Sequence, residues 1–162
     1  MSCCSSSPDA CALPSATERR LCLGCGRQGR LVTNLTVKSL VRDHTRVSGQ
    51  ERHWFCRAPQ CEVVYFGAGG VFRKPDLKVR VGLKEQDDPV PLCYCFDYTR
   101  ADVRSDIEEH GRTEIPARIK AEVQAGLCAC EVRNPAGTCC LGEITRAIQE
   151  AKRGVSPVAS SV

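Results

Sequence analysis

Cysteine is the residue type in this sequence whose number and spacing point most directly to chemistry. The chain has 13 cysteines among 162 residues. Thiolates prefer soft or borderline metal ions, so close cysteine pairs indicate zinc, an iron-sulfur cluster or copper(I). Two separate sets of thiols predict two metal centres. The first set is Cys22, Cys25, Cys56 and Cys61, and the second is Cys93, Cys95, Cys128, Cys130, Cys139 and Cys140.

The first set has the spacing of two zinc knuckles. Cys22-x2-Cys25 and Cys56-x4-Cys61 each fall in a predicted turn ahead of a predicted strand. Two such turns each present two thiolates to one tetrahedral ion, which is the geometry of a closed structural zinc site. A rubredoxin-like iron site is the main alternative. His53 is close enough in sequence to replace one cysteine, but we expect it to be a surface histidine.

The second set has the spacing of a two-iron cluster. Cys93-x-Cys95 places two thiolates where they could bind one iron, and the other pair must come from the later loop. That loop offers four cysteines for two places. A ferredoxin-style count from Cys95 selects Cys128, whereas counting back from Cys140 across the Asn-Pro turn selects Cys130. The turn-rich segment 134–138 suits a cluster because it would shield the sulfides and supply N–H donors.

Composition allows either metal sites or disulfides, and other features of the sequence favour metal. With four Phe, three Tyr and one Trp, the cores must be small, and small cores are often stabilised by metals or disulfides. Metals are favoured over a disulfide scaffold because the cysteine count is odd and no secretory signal is visible. No stretch approaches the ~20 apolar residues of a membrane span, so we expect a cytoplasmic protein without membrane insertion.

The charge of the chain does not indicate a nucleic-acid partner. The formal net charge of +4 counts every thiol as neutral. A tetrathiolate zinc site, or an oxidised [2Fe-2S] cluster with four thiolates, contributes about −2, so two filled centres bring the total close to zero. Lys and Arg are also scattered along the sequence rather than clustered.

The predicted elements indicate an α+β fold, a small β-rich zinc-ribbon-like unit followed by a small helical [2Fe-2S]-binding unit. Strands are expected at 31–37, 62–66, 71–73 and 78–83, and helices at 99–110, 115–125 and 142–152. A proline-containing linker at 86–91 separates the two units. The predicted organisation is a flexible Cys/Ser-rich tail at 1–20, the β-rich unit at 21–88, the helical unit at 89–154 and a flexible tail at 155–162.

Several motifs together resemble a known family. The stretch from Val90 to Cys95, the loop from Cys130 to Gly142 and the upstream run Cys61-Glu-Val-Val-Tyr-Phe resemble the N-terminal domain of CopZ-type copper chaperones. The helical part is similar to the [2Fe-2S] domain of bacterioferritin-associated ferredoxin. The resemblance implies zinc at Cys22, Cys25, Cys56 and Cys61, and a cluster at Cys93, Cys95, Cys130 and Cys140.

The same resemblance implies a metallochaperone function without enzymatic turnover. CopZ-type chaperones carry a C-terminal M-x-C-x-x-C domain that binds copper(I), but the only methionine here is Met1. We therefore expect one-electron transfer or metal handling, with a separate copper carrier or a copper-exporting ATPase as partner. Any Cu⁺ would be held by the surplus thiols, which are Cys3, Cys4, Cys11, Cys128 and Cys139. The alternatives are a zinc-ribbon adaptor for nucleic acid or protein and a thiol-disulfide enzyme.

Overall fold

The first part of the fold is built on a four-stranded antiparallel sheet. The protein is represented by a computed structural model that describes residues 20–154. The strands lie in chain order, so each pairs with its neighbour in sequence. They are β1 (Arg30–Val32), β2 (His53–Phe55), β3 (Val63–Gly67) and β4 (Gly70–Arg73), and helix α1 (Asn34–Leu40) lies between β1 and β2.

Two of the predicted strands are confirmed, and the turn between them is the glycine turn expected from sequence. β3 and β4 form a hairpin in which Gly67 lies opposite Gly70. Gly70 has φ +123°, a backbone conformation that L side chains rarely adopt. Glycine at this position therefore closes the hairpin without strain.

The predicted strand at 31–37 is wrong beyond Val32. The hydroxyl of Thr33 accepts a hydrogen bond from the backbone N–H of Thr36 at 3.1 Å, which caps the first turn of α1. The helix then buries Thr36, Val37 and Leu40, and Val37 belongs to the same core cluster as the sheet residues Phe55 and Tyr65. The capping threonine and this buried helical face together outweigh the β propensity of the segment.

The predicted strand at 78–83 is also wrong. Leu77 makes an isolated bridge with Val41, and the chain then enters a short 3-10 turn at Gly82–Lys84. Strand β2 was not predicted, although it immediately precedes Cys56. Its three residues are too few to show a period in the sequence.

The second part of the fold is mainly helical. Strands β5 (Pro91–Cys93) and β6 (Tyr98–Thr99) form a two-stranded ribbon ahead of the helices. The helices are α2 (Arg100–His110), α3 (Ile115–Gln124), α4 (Cys130–Arg133) and α5 (Leu141–Gly154). Three of these four helices confirm the predicted ones, and together with the sheet they confirm the α+β class.

The first long helix begins and ends at the residues expected from sequence. Thr99 and Asp102 form a reciprocal capping box, and Gly111 closes the helix in the left-handed conformation at φ +69°. The apolar faces of α2, α3 and α5 meet in one buried cluster that includes Val103, Ile119 and Ile144. No helix in the described residues is long and apolar enough to cross a membrane.

The two parts pack directly against each other. Helix α4 contacts α1, and the Thr33 hydroxyl donates to the carboxylate of Glu131 at 3.1 Å. The predicted linker is exposed at 86–89, but hydrogen bonds hold it to the first part: the Arg80 guanidinium donates to the carbonyl oxygens of Asp87 and Pro89 at 2.8 and 2.6 Å. The division of the chain at residue 88 stays a prediction.

Candidate metal centres

The first centre brings together the four thiols of the first cysteine set. The Sγ atoms of Cys22, Cys25, Cys56 and Cys61 all lie within 4.8 Å of one another. Cys25 is exposed and the other three are buried. The four thiols come from two turns that lie far apart in sequence, one before β1 and one between β2 and β3. The pairing of β1 with β2 brings these turns to one end of the sheet.

The spacing of the sulfur atoms fits a tetrahedral ion. The Sγ atoms of Cys22 and Cys61 are 3.8 Å apart, and those of Cys25 and Cys56 are 3.6 Å apart. A zinc ion with Zn–S bonds of about 2.3 Å requires sulfur–sulfur edges of about 3.8 Å. The donor set and its dimensions therefore suit zinc.

Backbone contacts orient the thiols of the first knuckle. The N–H of Gly24 donates to the Sγ of Cys22 at 3.4 Å, and a hydrogen bond from the Arg27 backbone lowers the pKa of the Cys25 thiol to about 7. Any side chain at Gly24 would press against the Cys61 sulfur and the Val63 side chain. The two knuckles thus approach each other too closely for a Cβ at this position.

Burial has the opposite effect on the second knuckle. Desolvation raises the pKa of the Cys56 thiol to about 12. Cys56 and Cys61 lie in a buried cluster with Trp54 and Phe66, whose rings stack with centroids 6.1 Å apart. A cation in the centre would offset this cost, because metal binding requires the thiolate form.

The expectation that His53 is a surface residue is wrong. Its side chain is buried on β2, with 2% of the residue exposed. Nδ1 is hydrogen-bonded to the Oδ1 of Asn34 at 2.9 Å, and Nε2 lies 3.9 Å from a carboxylate oxygen of Glu51. Both ring nitrogens therefore have polar neighbours away from the thiols, and His53 does not belong to the group of metal-ligating side chains in the first centre.

The second cysteine set forms two thiol pairs rather than one tetrahedron. The Sγ atoms of Cys95 and Cys130 are 3.8 Å apart. The side chain of Cys140 lies close enough to the Cys93 thiol to lower its pKa. Within residues 20–154, only the first set gathers three or more ligating side chains as tightly as 4.8 Å. Each pair joins one cysteine of the β5–β6 ribbon to one from the later loop. The sequence-based idea that Cys93 and Cys95 form one pair differs from this arrangement.

Hydrogen-bond donors surround the sulfurs of the second set. The neighbouring Cys140 side chain and backbone hydrogen bonds from Cys95 and Phe96 lower the pKa of the Cys93 thiol to about 6. The N–H of Ala129 donates to the Sγ of Cys95 at 3.3 Å. Donors of this kind stabilise bound thiolates and tune the potential of an iron-sulfur cluster.

The loop between Cys130 and Cys140 is held by a buried asparagine. Asn134 donates through Nδ2 to the carbonyl of Thr138 at 2.6 Å, and its Oδ1 accepts from the N–H of Ala136 at 2.9 Å. These bonds close the turn-rich segment expected from sequence. The closed turn fixes the position of Cys140, which directly precedes α5.

The surplus thiols lie outside these contacts or outside the described residues. Cys128 is partly exposed and Cys139 is exposed, and all ten cysteines in residues 20–154 are free thiols. Cys139 lines a cavity of about 250 Å³ between the two parts of the fold. Cys3, Cys4 and Cys11, and the predicted tails, lie outside the described residues.

The fold and the thiol site define a zinc-binding α+β domain, and comparisons identify its family. Residues 19–78 match the CopZ zinc binding domain family. The chain is 36% identical to the copper chaperone CopZ of Archaeoglobus fulgidus over 128 residues. This aligned segment covers 77% of the chain. The X-ray structure of the N-terminal domain of that CopZ matches at 36% identity with a TM-score of 0.65, covering 78% of this chain and 96% of that domain. The chain therefore belongs to the family of CopZ N-terminal, zinc-binding domains.

The chain spans 60% of the length of the curated relative it matches. Family membership confirms the resemblance that the motifs indicated. The similarity of the helical part to bacterioferritin-associated ferredoxin stays a prediction.

Sequence reasoning missed one polar residue next to the first centre. Lys84 is buried, and its ammonium group donates to the carbonyl oxygens of Ala58 and Cys61. In the sequence Lys84 lies just beyond the predicted strand at 78–83, among other charged residues. No local pattern distinguishes it, because its burial depends on the packing of the turn at Gly82–Lys84 against the Cys56–Cys61 knuckle.

Proposed function

We propose that this protein handles copper or another heavy metal within a metallochaperone system, with a structural zinc in the first centre and a [2Fe-2S] cluster in the second. The observation that carries the zinc assignment is the gathering of four thiols within 4.8 Å. Four thiolates complete the coordination of zinc, so no position is left for substrate, which is typical of a structural role.

The two thiol pairs of the second set support the cluster. A [2Fe-2S] cluster bound by four cysteines presents two irons, and each iron takes two thiolates. Cys93 with Cys140, and Cys95 with Cys130, would each hold one iron. The contact of Cys95 with Cys130 favours Cys130 over Cys128 as the fourth ligand.

With the cluster bound, the protein would act by one-electron transfer, for example to reduce a metal ion before export. The relative from Archaeoglobus fulgidus is named a copper chaperone. By analogy, the partner would be a separate copper carrier or a copper-exporting ATPase, in the cytoplasm, and Cu⁺ would be a cargo rather than a resident ion. Enzymatic turnover forms no part of the proposal.

Metal analysis of anaerobically prepared protein tests both centres. We expect about two iron, two sulfide and one zinc per chain, and an electron paramagnetic resonance signal after dithionite reduction. Protein without iron and without visible charge-transfer absorption would refute the cluster while leaving the zinc site standing.

Matched serine variants test the ligand assignment. Cys130→Ser should lose the cluster iron and keep its zinc, whereas Cys128→Ser should keep both, because only Cys130 lies beside Cys95. The reverse result would transfer the ligand role to Cys128. The zinc-ribbon adaptor hypothesis predicts zinc alone and salt-sensitive nucleic-acid binding, and family membership lends it no support.

A further inference from the structure

A buried lysine lies next to the first metal centre. The Lys84 residue is 3% exposed. Its Nζ donates to the carbonyl oxygen of Ala58 at 2.8 Å and to that of Cys61 at 3.0 Å. Both carbonyls belong to the knuckle that supplies Cys56 and Cys61. Lysine is almost never fully buried unless its charge is compensated.

No carboxylate supplies that compensation. Within residues 20–154, no aspartate or glutamate oxygen lies within ion-pair distance of the Lys84 Nζ. Glu85, its neighbour in sequence, instead pairs with Arg80 at 3.0 Å and with Lys74 at 3.6 Å. The two carbonyl oxygens satisfy hydrogen bonds but carry no net charge. A burial cost for the ammonium therefore remains unless an anionic group is close by.

The thiols of the first centre are the nearby groups that can become anionic. Zinc bound by four thiolates has a net charge of about −2, which is itself costly to bury. The Lys84 ammonium is held against the backbone of the knuckle that supplies two of these thiolates, Cys56 and Cys61. The buried cation and the buried anionic centre therefore lower each other's desolvation cost.

We propose that Lys84 is the charge-compensating residue of the first centre, and that its ammonium raises the affinity of the four thiols for zinc. This inference rests on the proposed zinc site. Lys84 does not touch the metal, since its contacts are with backbone carbonyls, and it acts through the charge that it places beside the thiolates. Outer-shell partners of metal ligands typically contribute 10- to 100-fold in affinity, and we expect an effect in that range.

Three substitutions separate charge from hydrogen bonding. Lys84→Met removes both, Lys84→Gln keeps N–H donors without the charge, and Lys84→Arg keeps the charge. Zinc affinity is measured by competition with a chromophoric chelator, using the full chain. We expect the dissociation constant for zinc to rise about 10- to 100-fold in Lys84→Met and Lys84→Gln and to change little in Lys84→Arg.

Lys78→Met is the matched control. It also removes one lysine charge and one hydrogen bond to a carbonyl, that of Ser39, but on an exposed surface. We expect wild-type zinc affinity from it. Fluorescence of the single Trp54, which is buried beside the knuckles, verifies that each zinc-saturated variant is folded. Should Lys84→Met fail to fold, the comparison of Lys84→Gln with Lys84→Arg still tests the role of the charge.

Two results would overturn the inference. Wild-type zinc affinity in Lys84→Gln would show that the lysine contributes hydrogen bonds and that its charge does not affect zinc binding. Equal losses of zinc affinity in Lys84→Arg and Lys84→Met would show that the shape of the lysine side chain matters and its charge does not. If the wild-type protein binds no zinc, the proposed zinc site is refuted. If the wild-type protein binds zinc and the Lys84 variants bind it equally well, only the role of Lys84 is refuted.

Discussion

Tyr65→Phe tests whether the sheet stabilises the loop that carries the second cysteine set. Tyr65 lies on β3 and is fully buried, and its hydroxyl donates to the carbonyl oxygen of Pro135 at 2.8 Å. Pro135 is buried between Cys130 and Cys140 in the chain. Burial raises the pKa of the Tyr65 phenol well above its ordinary value, so the hydroxyl keeps its proton and remains a donor.

The expected loss follows from the burial of both partners. Phenylalanine keeps the ring and its packing in the sheet core, but the Pro135 carbonyl loses a donor where water does not reach it. Leaving a buried polar group without its partner costs about 1–3 kcal/mol. With a urea m-value of about 2 kcal/mol/M, the unfolding midpoint should fall by about 0.5–1.5 M.

Two probes show whether the effect reaches both parts of the fold. Trp54 fluorescence reports on the first centre, and circular dichroism at 222 nm reports mainly on α2, α3 and α5. Because the hydrogen bond joins the two parts, both transitions should move together. Tyr98→Phe is the control, since the hydroxyl of this half-buried residue makes no hydrogen bond within residues 20–154. Equal midpoints for the Tyr65 and Tyr98 variants would refute the reasoning.

Two further predictions concern packing and pH. Gly82→Ala should destabilise the fold by about 1–3 kcal/mol, because its Cβ would collide with the Pro91 carbonyl oxygen. Gly142→Ala, in open space on α5, should be neutral or slightly stabilising, and thermal melts of the two variants measure the difference. Similar losses in both would contradict this. Desolvation lowers the pKa of His53, with Glu51 opposing it, so folding favours the neutral ring. The contribution of His53 to the free energy of unfolding is present above about pH 6.5, the pKa of histidine in the unfolded chain. It is lost as the pH falls below that value, because the unfolded chain then binds more protons than the folded one. Between pH 8 and pH 5.5 the urea midpoint should therefore fall further in wild type than in His53→Asn. Equal falls in the two proteins would contradict a role for His53 in this pH dependence.

The helical part was largely predictable because its signals are local. Thr99 and Asp102 satisfy the orphan N–H groups of the first turn of α2, and Gly111 supplies the left-handed residue that ends it. Pro116 lies in the first turn of α3 as expected. Each signal acts over three or four residues, so no distant contact was needed to interpret it.

The strands were predicted less well because short strands depend on their partners. β1 ends at Val32 and Thr33 caps α1, although the sequence alternates from the strand into the helix. β2 has three residues and all are buried, so it lacks the alternation that identifies a strand with one face in water. Its place in the sheet is decided by β1 and β3 on either side.

The sequence by itself determined the kind of metal chemistry open to its thiols and the positions of the three long helices. Thiolate number and spacing select soft or borderline metals whatever the fold, and capping residues act on the neighbouring turn. Only the tertiary structure decided which thiols meet, pairing Cys95 with Cys130 and Cys93 with Cys140. It also buried Lys84 beside a knuckle more than 20 residues away in the chain. Such contacts depend on how whole elements pack, and a sequence does not display the distance between residues that are far apart along the chain.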